Sequence, residues 1–446
     1  MTRKIGLWSI PASLILSLGI FGGCSHNMLV TPTTNALTPS PTATSSTPLP
    51  TPTATAIIPN AVTYTPPQAD NILSCNLYGA YDSQAGTNVF FSPFSIIADM
   101  AMAQEGAVGN TATQIQNVLN LNSNAAIRQQ GWQQLINQIN SFSANYTLNT
   151  ADNLWVQQGF NILPSYINTV ETYYGAGVTN VDFVGNATGA LNTINGAVSQ
   201  ETGGYIPNLL SPSFITSHTR LVLTNAIYFQ SDWQNQFVTI GTYQQIFNLT
   251  STTTETVSMM HITFSAVLGN FNGAASVLAI PYKGNQASMY VFLPTAGITS
   301  LESVMTGSNL NSWIAANATN LTTAPTGFNP PLVALSLPKF TFSTSYDLTA
   351  TLSQMGMPLA FSPQANFSGI DGATDLSISK VIHKAYVSVT ETGTTATGAT
   401  GIVITTTGII VPIVIPTPFV VNQPFIFAIV DNTSNTVLFM GRVSAP

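Results

Sequence analysis

The chain has 446 residues, of which 45% are hydrophobic, enough for one large domain or two ordinary ones with a sizeable core. Only 6% are charged and the net charge is −7, against about a quarter charged in an average soluble domain. The few basic side chains are scattered, which excludes a nucleic-acid footprint. Four His, two Cys and the absence of Cys-x-x-Cys or His-Glu-x-x-His leave no metal motif, and no cofactor is expected.

Arg3 and Lys4 precede an apolar run from Ile5 to Ile20, the layout of an export signal. Phe21-Gly22-Gly23-Cys24 is similar to the lipobox of bacterial lipoproteins, with Phe21 where leucine is usual. The likeness implies removal of residues 1–23 and a lipid on the Cys24 thiol. The alternative is a plain signal peptide and a secreted chain. Ser25 rather than Asp after Cys24 permits outer-membrane sorting where such a membrane exists. Residues 24–66 are rich in Thr, Pro, Ala and Ser, as in TPTTNALTPSPTATSSTPLPTPTATAIIP (31–59). No core can form from them, and proline makes them a semi-extended tether. The expected product is exported and held at the cell surface, touching membrane only through its lipid. With Cys24 lipidated, Cys75 has no partner, so a buried thiol and no disulfide framework are expected.

Residues 67–446 contain no second linker and no repeat. Ser95–Gln104 and Thr111–Leu119 carry apolar residues at three- and four-residue spacing and predict helices, the second capped at Asn110-Thr111. Leu221-Val222-Leu223, Ser288–Leu293, Ala334–Phe342, Val381–Val389 and Phe425–Val430 alternate and predict strands. Helices first and strands later make an α+β domain with a large, mostly antiparallel sheet.

One segment fits neither element. Gly393–Pro418 reads GTTATGATGIVITTTGIIVPIVIPTP, 26 residues without a charge. Its alternating sets are Thr394, Ala396, Gly398, Thr400, Ile402, Ile404 and Thr395, Thr397, Ala399, Gly401, Val403. Neither contains a charge, a proline or an aromatic ring. A strand inserted into a sheet shows alternate residues to opposite faces, and every one of these can be buried without a serious desolvation cost. β-branched residues favour the final strand. Proline is withheld until Pro412, past the part that must donate sheet hydrogen bonds.

Eleven blocks, in order, resemble the serpin family: NVFFSPFSI (88–96), EGAVGNTATQIQNVL (105–119), ADNLWVQ (151–157), ILPSY (162–166) with YYGAGVTNVDF (173–183), TRLVLTNAIYFQSDW (219–233), VSMMH (257–261), IPYKGNQASMYVFLP (280–294), LSLPKF (335–340) with SYDL (345–348), MGMPLAFSPQANFSGI (355–370), SKVIHKAYVSVTETGT (379–394) and QPFIFAIVDN (423–432) with VLFMGRV (437–443). The resemblance covers essentially the whole domain. It implies the serpin fold: N-terminal helices on a large central sheet, smaller sheets, and an exposed reactive-centre loop at Gly393–Pro418. It also implies inhibition of a serine protease. The protease cleaves the loop, which then inserts into the sheet and drags the acyl-bound protease with it. Such a chain is not an enzyme, and a monomer is expected.

The resemblance carries residues over. Glu391, Gly393, Thr394, Ala396, Gly398 and Ala399 are the loop hinge. Asn88, Ser92, Pro93, Ser95, Asn225 and His383 form a polar cluster where the central strands part, though a histidine on an apolar strand is as readily a satisfied core residue. Trp233 lies under the top of the sheet, or is an ordinary core aromatic. Lys339 and Glu391 form a salt bridge at the loop's base, or a solvated surface pair. The family's usual spacing from the hinge glycine puts the reactive bond at Thr407-Gly408, whereas counting back from Pro424 points nearer Ile413. Residues 405–413 hold no Arg, Lys, Phe or Leu, which favours an elastase- or subtilisin-like target and leaves a papain-like cysteine protease open.

Three rivals stand beside this. Ser377-Ile378-Ser379-Lys380 matches the Ser-x-x-Lys nucleophile motif of β-lactamases, but that motif opens a helix, and the sequence after it alternates as a strand. A non-inhibitory binding or adhesion protein on the serpin scaffold is the second. The third is contact of the apolar tail Ile409–Ile415 with membrane, although it is far too short to span one.

Overall fold

The computed structural model describes residues 63–81, 86–141, 146–322, 330–394 and 415–446. Six helices lead: α1 (Pro66–Tyr81), α2 (Pro93–Gly106), α3 (Gly109–Leu119), α4 (Ala125–Asn140), α5 (Pro164–Tyr174) and α6 (Ala187–Glu201). Three of these starts are capped by a side chain. Ser92 caps α2 by accepting from the Ser95 amide at 3.2 Å, and Pro93 opens the helix where its missing N–H costs nothing. Asn124 and Asn186 cap α4 and α6 in the same way.

The expected Asn110-Thr111 cap is corrected. Helix α3 begins at Gly109, and no side chain caps it. The Thr111 hydroxyl instead accepts from the Asn366 amide at 3.0 Å, so a tertiary bond claims the oxygen a cap would have used.

Strands follow between and after the helices: β1 (Val89–Phe91), β2 (Thr147–Gln157), β3 (Gly177–Val181), β4 (Leu221–Asp232), β5 (Tyr243–Asn248), β6 (Thr254–Ser265), β7 (Leu268–Phe271), β8 (Ala275–Pro281), β9 (Ala287–Pro294), β10 (Leu332–Pro338), β11 (Phe340–Asp347), β12 (Ile378–Val389), β13 (Gly393–Thr394), β14 (Thr417–Val420), β15 (Phe425–Asp431) and β16 (Val437–Val443). They make three sheets, ordered β1-β16-β15-β9-β8-β7, β14-β10-β6-β5 and β11-β12-β13-β4-β2-β3. The first is antiparallel throughout. The run Ala334–Phe342 breaks at Lys339 into β10 and β11, which belong to different sheets.

The third sheet is the scaffold of the site. Its β11–β12 and β2–β4 pairings are antiparallel, but β2–β3 and β12–β4 are parallel. A large core fills the space between this sheet, α2 and the first sheet. A second apolar cluster covers the opposite face. There Ala190, Ile194 and Val198 of α6 meet Trp155, Val222, Ala226 and Ile382.

Candidate functional site: the seam of the central sheet

Strands β12 and β4 run parallel, in direct register from Val381–Leu223 to Ala385–Ile227. Above that they diverge, and β13 fills the gap. Thr394 lies opposite Val389 of β12 and Ser231 of β4, and Gly393 opposite Asp232. The chain leaves β12, turns at 390–392 and runs back between the two strands. The Thr390 amide donates to the Gly393 carbonyl at 2.9 Å to close the turn. Gly393 is required by space. A Cβ there would stand 2.1 Å from the Ser231 carbonyl oxygen and 2.7 Å from the Asp232 Cα. Gly393 and Thr394, expected at the start of an exposed loop, are instead buried in the sheet.

The turn is held from beneath. Trp233 is buried; its ring N–H donates to the Thr390 carbonyl at 2.9 Å and its amide to the Thr392 carbonyl at 2.8 Å. The Trp233 ring stacks on Tyr282 at 4.6 Å, and the Tyr282 hydroxyl shares a 2.7 Å hydrogen bond with the Thr394 hydroxyl. Burial pushes the Tyr282 phenol far above its usual range, so it stays neutral. The Phe237 amide donates to the Glu391 carbonyl at 2.9 Å.

Lys339 and Glu391 pair at 2.8 Å, and Thr242 donates to the other Glu391 oxygen at 2.9 Å. The pair is half-buried: the lysine side chain is 37% exposed and Glu391 8%. Burial raises its carboxyl, but the hydrogen bonds led by Lys339 outweigh that and hold it below its ordinary value.

Lower down, the polar cluster lies under the closed seam. His383 and Asn225 face each other across β12 and β4. The Ser92 main-chain amide donates to His383 Nε2 at 3.0 Å, so Nε2 carries no proton and Nδ1–H faces the Asn225 side-chain oxygen Oδ1. The Asn225 amide donates to the Ser95 hydroxyl, and the Ser92 hydroxyl donates to the Leu438 carbonyl at 2.6 Å. Burial lowers the His383 pKa to about 3. Pro93 contributes by starting α2. Asn88 stands apart: it clamps the C-terminal tail, accepting from the Ser444 amide at 2.7 Å and donating to the Ala445 carbonyl at 2.7 Å. These partners are main-chain groups of the C-terminal tail, not members of the His383 network.

Some partners carried no sequence signal. Tyr205, just past α6, stacks on Tyr228 of β4 at 4.0 Å and lies 6.1 Å from Tyr386 of β12. Lys384 of β12 donates to the Asn208 carbonyl at 3.3 Å. The segment after α6 thus straps both sides of the seam. Tyr282 stood in a recognised block, but nothing in that block pointed to Thr394.

Ala396, Gly398, Ala399, Thr407 and Gly408, like Cys24, lie outside the described residues. Cys75 is buried, and burial pushes its thiol up to about 12. The Ser-x-x-Lys motif enters strand β12, not a helix, and Lys380 pairs with Asp347 at 2.5 Å. The described residues hold no cluster of three or more potential metal ligands.

Residues 68–446 match the serpin (serine protease inhibitor) family. The chain is a serpin. It is 37% identical over 366 residues to the leukocyte elastase inhibitor of Bos taurus, covering 80% of this chain and 93% of that one. It is also 37% identical over 365 residues to a serpin-like protein of Methanosarcina acetivorans, covering 80% and 82%. Among solved structures, uncleaved ovalbumin superposes with a TM-score of 0.74 at 27% identity, over 86% of this chain and 100% of that one. Serpin48 of the insect Tenebrio molitor gives 0.71 at 28% identity, over 85% and 98%.

Proposed function

We propose that this serpin inhibits serine proteases as a suicide substrate, with a target that accepts small or β-branched residues, as elastases and subtilisins do. One observation carries the reading: Gly393 and Thr394 already occupy the gap between β12 and β4 as a short antiparallel strand. The sixteen residues after Thr394, up to Ile410, hold no charge and no proline, so the rest can follow without burying an unpaired charge.

The chemistry is that of acyl transfer. The protease serine attacks the Thr407 carbonyl, the Thr407–Gly408 bond breaks, Gly408 leaves as a free amine, and Thr407 remains as an ester on the protease. Deacylation needs a positioned water. Insertion of the freed segment between β12 and β4 pulls the protease away before that water acts. The His383–Asn225–Ser92–Ser95 network would hold the seam shut until then, and Trp233, Tyr282 and the Lys339–Glu391 pair would set the hinge. The relatives named for leukocyte elastase inhibition support the target class.

The apolar N-terminal run, Cys24 and the Pro/Thr-rich tether support a reading in which a lipid holds this inhibitor at a membrane surface. Cys24→Ser should release it into the medium; retention of the variant in membranes would refute the anchor.

Mixing the purified chain with elastase, subtilisin, trypsin, chymotrypsin and papain tests the main reading. A complex with elastase or subtilisin that survives hot detergent is expected, with a released peptide beginning at Gly408. Simple cleavage without a complex, by every protease, would overturn it.

A further inference from the structure

Strand β5 closes one end of the sheet β14-β10-β6-β5, and no described strand pairs with its outer edge. It pairs with β6 without a bulge, from Tyr243 opposite Met259 to Asn248 opposite Thr254. The Asn248 amide donates to the Asn422 carbonyl at 2.7 Å, so it points away from β6. Main-chain groups of a strand alternate between its two edges. Gln244 and Ile246 therefore also turn their N–H and C=O groups away from β6. Beyond them, the Thr242 amide is taken by the Thr239 carbonyl at 3.1 Å. The open edge thus consists of Gln244 and Ile246, and a local bond limits it at each end.

Edge strands are ordinarily guarded by lysine, proline, a bulge or an inward-pointing charge. The sequence of β5, Tyr243-Gln244-Gln245-Ile246-Phe247-Asn248, has none of these. The whole stretch from Trp233 to Thr254 holds no charge, in a chain whose net charge is −7. Copies of an acidic chain repel one another, and along this stretch that repulsion is least. Its side chains are also apolar where they meet water: Tyr243 is 54% exposed, Ile246 60%, and Ile240 just before the strand 93%.

We infer that β5 is a self-association edge: it pairs, antiparallel, with β5 of a second copy of this chain, about a two-fold axis at Gln245. Gln244 then lies opposite Ile246 of the other copy. Each such pair exchanges two main-chain hydrogen bonds, four in all. The two free residues sit symmetrically about Gln245, so the edge is complementary to itself, and the contact closes at two copies. Tyr243 comes opposite Phe247 of the other copy, a cross-strand aromatic pair. The interface is small, so the dimer is weak and reversible. No strand is exchanged and the seam between β12 and β4 is not used, so the inference stands apart from the inhibitory reading.

The test is the mass of the purified chain in solution, read by sedimentation equilibrium from about 1 to 200 μM. Wild type should pass from monomer to dimer with a dissociation constant of roughly ten micromolar. Gln244→Pro removes an outward donor and no bond to β6, and Ile246→Lys sets a charge on the edge. Each should weaken the dimer by at least about tenfold and leave the melting temperature unchanged. The register is checked in a Cys24→Ser background by oxidation with copper-phenanthroline in air. Gln245→Cys should give a disulfide-linked dimer, because the two positions meet at about 4.5 Å between Cα atoms. Gln244→Cys should not, because its counterpart is a diagonal neighbour about 7–8 Å away. A monomer at every concentration would overturn the inference. So would a dimer that survives Ile246→Lys and fails to link in the Gln245→Cys variant.

Discussion

The rings of Tyr205 and Tyr228 stack 4.0 Å apart and within 12° of parallel, and Tyr386 stands 6.1 Å from Tyr205 on the far side of the seam. One side chain beyond α6 therefore touches both strands that must part for a loop to insert. Aromatic pairs of this kind are worth about 0.5–1.5 kcal/mol beyond burial. Tyr205→Ala should lower the melting temperature of the intact chain slightly and should raise, severalfold, the rate at which warming converts it to an unreactive or self-associated form. The conversion is followed by residual inhibition and size-exclusion chromatography. Unchanged conversion would show that the strap does not guard the seam.

The buried His383 makes the seam acid-sensitive. Burial holds its folded pKa near 3, against 6.5 for the free side chain. The unfolded chain thus binds a proton that the folded chain refuses. The stability this contributes is whole above pH 6.5 and is lost as pH falls from there toward 3. At pH 5 the loss from this one group is about 2 kcal/mol. Asp70 acts in the opposite sense: burial raises its carboxyl, so its contribution is full below its unfolded value and fades as pH rises. Comparing wild type with His383→Gln between pH 7 and pH 5 isolates the histidine. Wild type should lose more stability over that range than the variant, as read from urea melts.

Gly393 meets backbone on its free side, which cannot move aside as a side chain could. Gly393→Val should expel the hinge from between β12 and β4 and impair insertion after cleavage. More protease encounters should then end in a cut inhibitor and a free protease, so the stoichiometry of inhibition should rise severalfold. Amide exchange at Thr394 should accelerate in the same variant. A stoichiometry equal to wild type would contradict the steric argument.

The Lys339–Glu391 pair is half wet, with the lysine side chain 37% exposed. Its removal in Glu391→Gln should cost no more than about 1 kcal/mol at neutral pH. Because the Glu391 carboxyl titrates below its ordinary 4.5, the contribution is full above pH 4.5 and is lost as pH falls through the lowered value. The melting temperatures of wild type and variant should differ at pH 7 and converge in acid.

Much of this was legible in the sequence, and the reasons are local. Period-two alternation in Val381–Val389 and Phe425–Val430 marks strands buried against a core. Apolar residues at three- and four-residue spacing over Ser95–Gln104 mark a helix because that period is the turn of the helix itself. The ion pair of Lys339 and Glu391 came from family likeness, since 52 residues separate them. What stayed hidden is tertiary. Thr111 gave its oxygen to Asn366 and not to its own helix. Asn88 turned toward residues 444 and 445 at the end of the chain and not toward His383. The tyrosine strap joins segments far apart in the chain, and no residue type or spacing announces it.

On the inhibitory reading, a cut loop becomes a strand between β12 and β4. The direct measurement is the thermal melt of the same protein before and after limited cleavage within residues 395–414. A full-length inserted strand adds hydrogen bonds to two neighbours along its whole length, and the melting temperature should rise by tens of degrees, far beyond the few degrees of one added contact. Hydrogen exchange at the facing edges of β12 and β4 should slow in the cut form. An unchanged melt and unchanged exchange after complete cleavage would contradict the account.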